Sequence, residues 1–337
     1  MDKAILIMAG GSGSRLWPLS RRKNPKQSHR LFSDVSTFEN LLNIVQSQVP
    51  LDHIYVSVGE SQYDYVKQSG VLMNNILLQK KNKNTAPAIL YGVNKIVEDL
   101  GDCNVAMLPS DHLIIDENSY NKAVEAAFDA AMKTKTIIAI GTKPIYPSTG
   151  FGYIEIDYNE PGIKKVMTFK EKPSQELAVQ YIADGHLWNT GIYVSRSDVL
   201  LETYRKNLPE MSSYLSKEDV FFDFAESISF DFGIVEKMNN MHVIVSSHSW
   251  LDIGTYEFLE HYIKPDINGN IIQGNGMVFD AKSTSIVSET GTVVAYGTSD
   301  LLIVNTHDVV FVCDKKFLQR IGNLVDRLEE NEGESLL

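Results

Sequence analysis

The stretch Leu6-Ile7-Met8-Ala9-Gly10-Gly11-Ser12-Gly13-Ser14-Arg15-Leu16-Trp17-Pro18-Leu19-Ser20, running on to Pro25-Lys26-Gln27, decides how the rest of the chain is read. Lys3 to Met8 has the length and apolar character of a buried strand, and it ends in a glycine turn. Gly10, Gly11 and Gly13 permit positive φ and close approach of a ligand to the backbone. Successive N–H groups in such a turn form an anion-binding nest. Six basic residues lie between Arg15 and Arg30 (Arg15, Arg21, Arg22, Lys23, Lys26, Arg30), with no acidic one among them. Two readings stand at this point: a loop that holds a polyphosphate, or a glycine-rich turn beside a solvated basic face.

The basic cluster stands out against a net charge of −12. That acidic balance argues against a general nucleic-acid or anionic-membrane binder. The 337 residues suit a main domain with an appendage, and 43% hydrophobic with 22% charged residues is ordinary globular composition. No apolar run approaches the ~20 residues of a membrane span. The chain enters strand pattern at once, without a signal-peptide pattern. Cys103 and Cys313 give neither a disulfide framework nor zinc spacing, so a reducing cytoplasm is the expected compartment.

Outward from the loop, the first half alternates strand and helix patterns. Strands are expected at Lys3–Met8, Ile54–Val58, Ile76–Gln79, Val105–Leu108 and Thr136–Ile140. Helices are expected at Phe38–Val49 with Thr37 as cap, Gln62–Gln68, Pro87–Leu100 and Tyr120–Met132. This order predicts an α/β fold of right-handed βαβ units with a mostly parallel sheet. Ligands then bind beyond the carboxyl ends of the strands, at the loops after Met8, Gln79 and Leu108. The second half is mixed. Strands are expected at Tyr153–Ile156 and Val166–Phe169 around a Glu160-Pro161-Gly162 turn, at Ile192–Val194 and at His242–Ser246. Helices are expected from Gln175, at Ser197–Asn207 and at Glu218–Ser227. From Asn268 to Cys313, short β-branched runs separated by Gly, Asn, Ser and Asp predict a small β unit of solenoid type, closed by a helix at Lys316–Leu328. The expected division is 1–262 and 263–337.

Several motifs fail. Ser14-Arg15 stands where a Walker loop needs Gly-Lys-Ser/Thr, Leu16 stands where the dinucleotide fingerprint needs its third glycine, and there is no Gly-x-Ser-x-Gly elbow. A longer pattern fits. GGSGSRLWPLSRRKNPKQ resembles the N-terminal motif of sugar-nucleotide pyrophosphorylases, in the Leu-Trp-Pro-Leu-Ser form of the mannose-1-phosphate guanylyltransferase branch. Further matches follow in family order: Asn84-Thr85-Ala86-Pro87-Ala88, Pro109-Ser110-Asp111-His112, Phe151-Gly152-Tyr153-Ile154 and Phe169-Lys170-Glu171-Lys172-Pro173. Then come Trp188-Asn189-Thr190-Gly191, Ser229-Phe230-Asp231-Phe232 with Glu236-Lys237, and Asp252-Ile253-Gly254-Thr255. Lys83 and Ser14 depart mildly from residues common in the family, Arg and Thr.

The resemblance implies a Rossmann-like nucleotidyltransferase domain with a small C-terminal β domain, and transfer of GMP from GTP to mannose 1-phosphate with loss of pyrophosphate. The nucleophile is already an anion, so the demands are positioning, charge neutralisation and a metal. Arg15 and Lys26 are the implied catalytic cations on the triphosphate, with Lys172 on the sugar phosphate; Arg pairs bidentately with phosphate, Lys as a point charge. Gly10, Gly11, Ser12, Gly13, Ser14, Asn84, Thr85, Pro87 and Ser110 complete the implied nucleotide site, Pro87 leaving neighbouring N–H groups free. Gly152, Glu171 and Asn189 join Lys172 at the sugar phosphate. Asp111 and Asp252 are the implied Mg2+ ligands. Arg21, Arg22, Lys23 and Arg30 are read as solvated surface, Trp17 as packing the loop on the sheet, and His112 as a structural neighbour. Asp231 and Lys237 match the family without an assigned role. A homodimer is implied. The alternatives are a related sugar phosphate such as a manno-heptose phosphate, another nucleotide, or a binding protein without catalysis. Isomerase activity, found in relatives with a further domain, is not expected of a chain ending at Leu337.

Overall fold

The computed structural model describes residues 1–11, 13–22, 24–30, 34–158, 162–217, 220–248, 250–331 and 336–337. Two compact units form. The first is Met1–Gly11, Phe38–Ser110 and Ile114–Trp250. The second takes in Ser12–Thr37 and Asp111–Leu113 as well as Leu251–Leu337.

The first unit is built on β1 (Lys3–Ala9), β2 (Ile54–Gly59), β3 (Ile76–Gln79), β4 (Asn104–Pro109), β6 (Ile137–Thr142), β7 (Tyr153–Ile156), β8 (Lys164–Lys170), β9 (Leu187–Arg196) and β10 (Met241–Ser246). They form one sheet in the order β3-β2-β1-β4-β9-β6-β10-β8-β7. The neighbours from β3 to β4 are parallel, as are β6 and β10. β9 runs antiparallel between β4 and β6, and β8 and β7 add antiparallel pairs at the edge. The sheet is therefore mixed, and parallel chiefly where βαβ alternation is legible. Both faces are buried. Along β1, Ala4 and Leu6 enter one core and Ile5, Ile7 and Ala9 the other; β4 divides the same way, with Val105 and Met107 opposite Ala106 and Leu108. Helices Thr85–Leu100 and Ser197–Asn207 supply the first core, Thr37–Val45 and Glu117–Thr134 the second. Because β1, β3 and β4 run parallel, their carboxyl ends share one edge, and Gly10, Lys80 and Ser110 follow there.

Two expected elements differ. β9 has ten residues rather than three. Asn189 and Thr190 are buried inside it, and Thr190 Oγ1 donates to the Ile140 carbonyl at 2.7 Å, so satisfied polar side chains hide the strand pattern. The helix expected over 218–227 shrinks to Phe221–Phe224 among the described residues. The chain beyond it is drawn out because the Ile228 carbonyl accepts from the Ala86 N–H at 3.1 Å. Glu160, Pro161, Glu218 and Asp219 lie outside the described residues.

In the second unit, β5 (His112–Ile114) pairs with β11 (Trp250–Asp252), and a four-stranded sheet has the order β12 (Ile271–Phe279), β13 (Ser285–Tyr296), β14 (Leu301–Asn305), β15 (Val310–Asp314). β12, β13 and β14 are parallel, with a register shift between Gly274 and Gly276 of β12, the stacking expected of a short solenoid, and β15 closes it antiparallel. The closing segment is a 3-10 turn, Lys315–Arg320, followed by the helix Ile321–Glu330. Among the described residues no helix is long and apolar enough to cross a membrane.

Candidate active site

The glycine turn is tighter than its sequence requires. Gly11 and Gly13 take φ of 109° and 65°, whereas Gly10 does not enter the positive region. Gly13 is constrained twice: a Cβ there would lie 3.0 Å from the Lys26 Cβ and 3.1 Å from Ser20 Oγ. Ser14–Leu16 then makes a 3-10 turn that leaves Arg15 exposed and Leu16 buried. Ser12 and Lys23 lie outside the described residues. Trp17 is 5% exposed, but its partners belong to the second unit: the Phe311 ring edge-on at 5.2 Å and the Leu336 carbonyl, which accepts from Nε1 at 2.9 Å. The expectation that it packs on the main sheet is corrected. Arg21 is not solvated surface either: it forks onto Asp308 at 2.7 and 3.0 Å and donates from Nε to the Pro18 carbonyl. Arg22 is exposed, as expected, and pairs there with Glu329.

Lys26 leads into a charge cluster of the second unit. Its ammonium pairs with Asp111, and their side chains are 12% and 25% exposed. Burial pushes the Lys26 pKa down, but Asp111 and then Asp252 more than offset that and hold it above its ordinary value; Arg15 opposes them. Burial pushes the Asp111 carboxyl up, but Lys26, with His112 beside it, holds it at about 2. His112 is buried and brought down to about 4, so it is neutral at pH 7. The Ile253 N–H donates to the Asp111 carbonyl at 3.2 Å, which fixes the backbone of Asp111 against the end of β11 that carries Asp252. A Cβ at Gly254 would meet both Asp252 oxygens at 3.0 Å, so glycine there leaves the carboxylate its place. Among the described residues no group of three or more His, Cys, Asp or Glu forms a ready metal cage. Asp111 and Asp252 are oxygen donors of the kind Mg2+ takes, one or two carboxylates with the remaining positions left to phosphate and water.

In the first unit, Ser110 follows β4, and its N–H and hydroxyl both donate to the Met8 carbonyl, at 3.2 and 2.9 Å. Asn84 takes φ of 68° and caps helix Thr85–Leu100 by accepting from the Thr85 N–H at 2.8 Å. The helix starts two residues before Pro87. The expectation of free N–H groups beside Pro87 fails here, because those of Thr85 and Ala86 are bonded within the protein.

Glu171 and Lys172 follow β8. The Lys172 ammonium pairs with Glu171 at 2.8 Å; the Glu171 side chain is 7% exposed and that of Lys172 52%. Lys172 takes φ of 45°, a conformation an unbranched lysine rarely adopts. Burial raises the Glu171 pKa, and Asp231 and Glu236 push the same way against Lys172. At Gly152 a Cβ would lie 2.6 Å from Glu171 Oε2, 2.8 Å from Phe169 Cζ and 3.4 Å from the Asn189 Cβ. Gly152, Glu171 and Asn189 are thus brought together, as the sequence pattern implied. Asn189 is buried and its N–H donates to the Gly152 carbonyl at 2.8 Å.

Residues 4–266 match the family model described as nucleotidyl transferase. A relative from Escherichia coli O157:H7 named mannose-1-phosphate guanylyltransferase 2 is 33% identical across 96% of this chain and 73% of its own length. One from Sinorhizobium fredii, named mannose-1-phosphate guanylyltransferase, is 29% identical across 98% and 69%. The crystal structure of mannose-1-phosphate geranyltransferase from Thermus thermophilus aligns with a TM-score of 0.89 at 28% identity, covering 98% of this chain and all of that one.

The chain belongs to the nucleotidyl transferase family.

For a nucleotidyl transferase, the sequence pattern had located the charged residues but passed over their support. Tyr193 carried no functional expectation, and Asp231 and Glu236 none beyond their match. Asn189 and Tyr193 stand four apart on β9, but the strand is irregular between them, with Gly191 at φ of 70°, so no regular strand period brings the two side chains together and the sequence carried no signal for their contact. Lys237 is exposed in the turn Val235–Lys237.

Proposed function

We propose that this nucleotidyl transferase moves GMP from GTP to mannose 1-phosphate, giving GDP-mannose and pyrophosphate. The observation that carries the reading is the paired cluster of Lys26, Asp111 and Asp252, with Arg15 contributing to its charge balance. A protein that only bound nucleotide sugars would have less need of a carboxylate held ionised against Lys26, as Asp111 is. The choice of mannose 1-phosphate and guanine rests on the names of relatives that match 98% and 96% of this chain over 69% and 73% of their own length.

In this reading Gly11, Gly13 and Ser14 present backbone to the nucleotide phosphates, with Gly10 and Ser12 alongside. Arg15 and Lys26 take up the charge that grows on pyrophosphate as it leaves. Asn84, Thr85, Pro87 and Ser110 shape the base side. Asp111 and Asp252 would hold Mg2+, which when bound supplies Lewis-acid polarisation of the phosphates. Lys172 holds the phosphate of the sugar and Glu171 accepts its hydroxyls, and the reaction is in-line attack of the phosphate oxygen on the α-phosphorus. No base is needed, because that oxygen is already ionised. A homodimer and a cytoplasmic setting accompany this reading.

Incubation with GTP, Mg2+ and mannose 1-phosphate is expected to release pyrophosphate, and a panel of nucleoside triphosphates against sugar 1-phosphates is expected to favour this pair. No turnover with any sugar phosphate would sink the reading. Preference for another sugar or nucleotide would keep the reaction and replace the substrates.

A further inference from the structure

Asp231 sits in the segment Ile228–Lys237, which bonds to residues expected on both the base side and the sugar side of the first unit. On the base side, the Ala86 N–H donates to the Ile228 carbonyl at 3.1 Å and the Phe230 N–H donates to Thr85 Oγ1 at 2.8 Å. On the sugar side, the Glu171 N–H donates to Glu236 Oε1 at 3.1 Å. Between them, Asp231 Oδ1 accepts from the Tyr193 hydroxyl at 2.5 Å and from Asn189 Nδ2 at 3.0 Å. Ser229 starts the short helix Phe230–Gly233 by accepting from the Phe232 N–H, which sets the direction of the Asp231 side chain.

The consequence falls on Asn189. Its Nδ2 has two N–H donors, and both are used, on Tyr193 Oη at 2.8 Å and on Asp231. Its Oδ1 accepts from the Gly191 N–H at 3.1 Å, which leaves one further lone pair. A carboxylate only accepts, so Asp231 fixes which end of the amide is nitrogen. A flipped amide would set oxygen against oxygen in a buried place, a costly arrangement.

We propose that Asp231 is a positioning residue of the sugar-side pocket: it locks the Asn189 amide so that only its carbonyl oxygen remains for the substrate, and its segment ties that pocket to the base-side loop at Thr85 and Ala86. The pocket then offers acceptors, Asn189 Oδ1 and the Glu171 carboxylate, and selects a sugar that donates hydroxyl hydrogens to both. This rests on the proposed reading of the site as a sugar-phosphate pocket. Asp231 also lies near enough to Glu171 to raise its carboxyl, second only to burial, so the two carboxyls share one electrostatic environment.

The test compares Asp231→Ala, Asp231→Asn and Tyr193→Phe in the full chain. Asp231→Ala is expected to raise KM for mannose 1-phosphate about tenfold while KM for GTP changes less than about twofold. Asp231→Asn keeps an accepting oxygen and is expected to restore KM to within about threefold of the unsubstituted protein. Tyr193→Phe keeps the packing volume, removes one of the two acceptors of the amide, and is expected to give an intermediate rise. If Asp231→Ala or Tyr193→Phe lowers the melting temperature yet leaves KM for mannose 1-phosphate unchanged, the residue is structural and the proposal fails. Should Asp231→Ala not fold, Tyr193→Phe decides by the same criterion. A second readout needs no substrate: the side-chain amide protons of Asn189, followed by 15N NMR, are expected to exchange slowly in the unsubstituted protein and rapidly in Asp231→Ala. Unchanged exchange overturns the proposal. An unsubstituted protein that fails to turn over mannose 1-phosphate would defeat the proposed function, and the amide exchange would still judge Asp231.

Discussion

The charged clusters of the two units follow opposite rules. In the second unit, Lys26 stands with Asp111 and Asp252, so cation and carboxylates stabilise one another, and Asp111 stays ionised down to about 2. In the first unit, Glu171, Asp231 and Glu236 crowd three carboxyls around one lysine, and Glu171 is pushed above its ordinary value. Under the proposed function the first arrangement would exchange partners, a phosphate competing for the ammonium and a divalent cation for the carboxylates. The second is tied by hydrogen bonds from Asn189, Tyr193 and a backbone N–H, and under the same reading it would keep them when a sugar ring arrives.

The largest expected effect tests the exchangeable cluster. Asp111→Asn keeps size and removes charge. It is expected to lower kcat/KM by about a hundred- to a thousandfold, the range for losing one electrostatic contact to a transition state. Thermal unfolding should show the variant still folded. Activity within about tenfold of the unsubstituted protein would mean that the cluster is structural, and the contrast between the clusters would collapse.

A smaller effect tests the preorganised cluster. Gly152→Ala places a Cβ 2.6 Å from Glu171 Oε2 and 2.8 Å from Phe169 Cζ, and Phe169 is 5% exposed. Overpacking of this kind costs about 1–3 kcal/mol and displaces the carboxylate, so KM for mannose 1-phosphate is expected to rise about tenfold with kcat less affected. Gly150→Ala is the control, since its Cβ would meet only Ser148 Oγ, at 3.5 Å. Equal behaviour of the two variants would show that the sugar side tolerates movement.

The sequence carried the frame of both clusters further than their internal wiring. Alternating strand and helix patterns placed β1 to β4 within a residue or two, because buried parallel strands are apolar throughout. Asp111, Lys26, Glu171 and Lys172 were singled out by the family resemblance, since charged residues beside turns read on their own as caps or solvated surface. The Asn189–Tyr193–Asp231 bonds were not legible. They join β9 to a segment some forty residues later, and a buried polar group interrupts the periodicity from which strands are read. Arg21 misled for a related reason: a cation in a basic run reads as solvated surface unless the distant Asp308 is known to meet it.

The smallest effect separates the clusters by the sign of their response to acid. His29 lies in the same loop as Lys26, and burial brings its pKa from 6.5 to about 4 despite carbonyls of Asn24 and Leu19 that favour the proton. Between those values the unfolded chain takes up a proton that the folded chain refuses, so stability falls as pH drops from about 6.5 to about 4. One such group contributes a few kcal/mol at most, since a tenfold change in proton affinity between the two states is worth about 1.4 kcal/mol. Asp111 adds a later loss of the same sign, between its ordinary 3.8 and about 2, where the unfolded carboxyl protonates first. Glu171 runs the other way: its raised carboxyl binds a proton more readily when folded, so acidification relieves a cost there. Urea unfolding of the unsubstituted protein and of His29→Gln, followed from pH 7 to pH 4.5, is expected to show a shallower loss of stability in the variant. Parallel curves would mean that His29 titrates alike in both states, and that the loop beside Lys26 is held by its ion pairs rather than by the burial of a neutral imidazole.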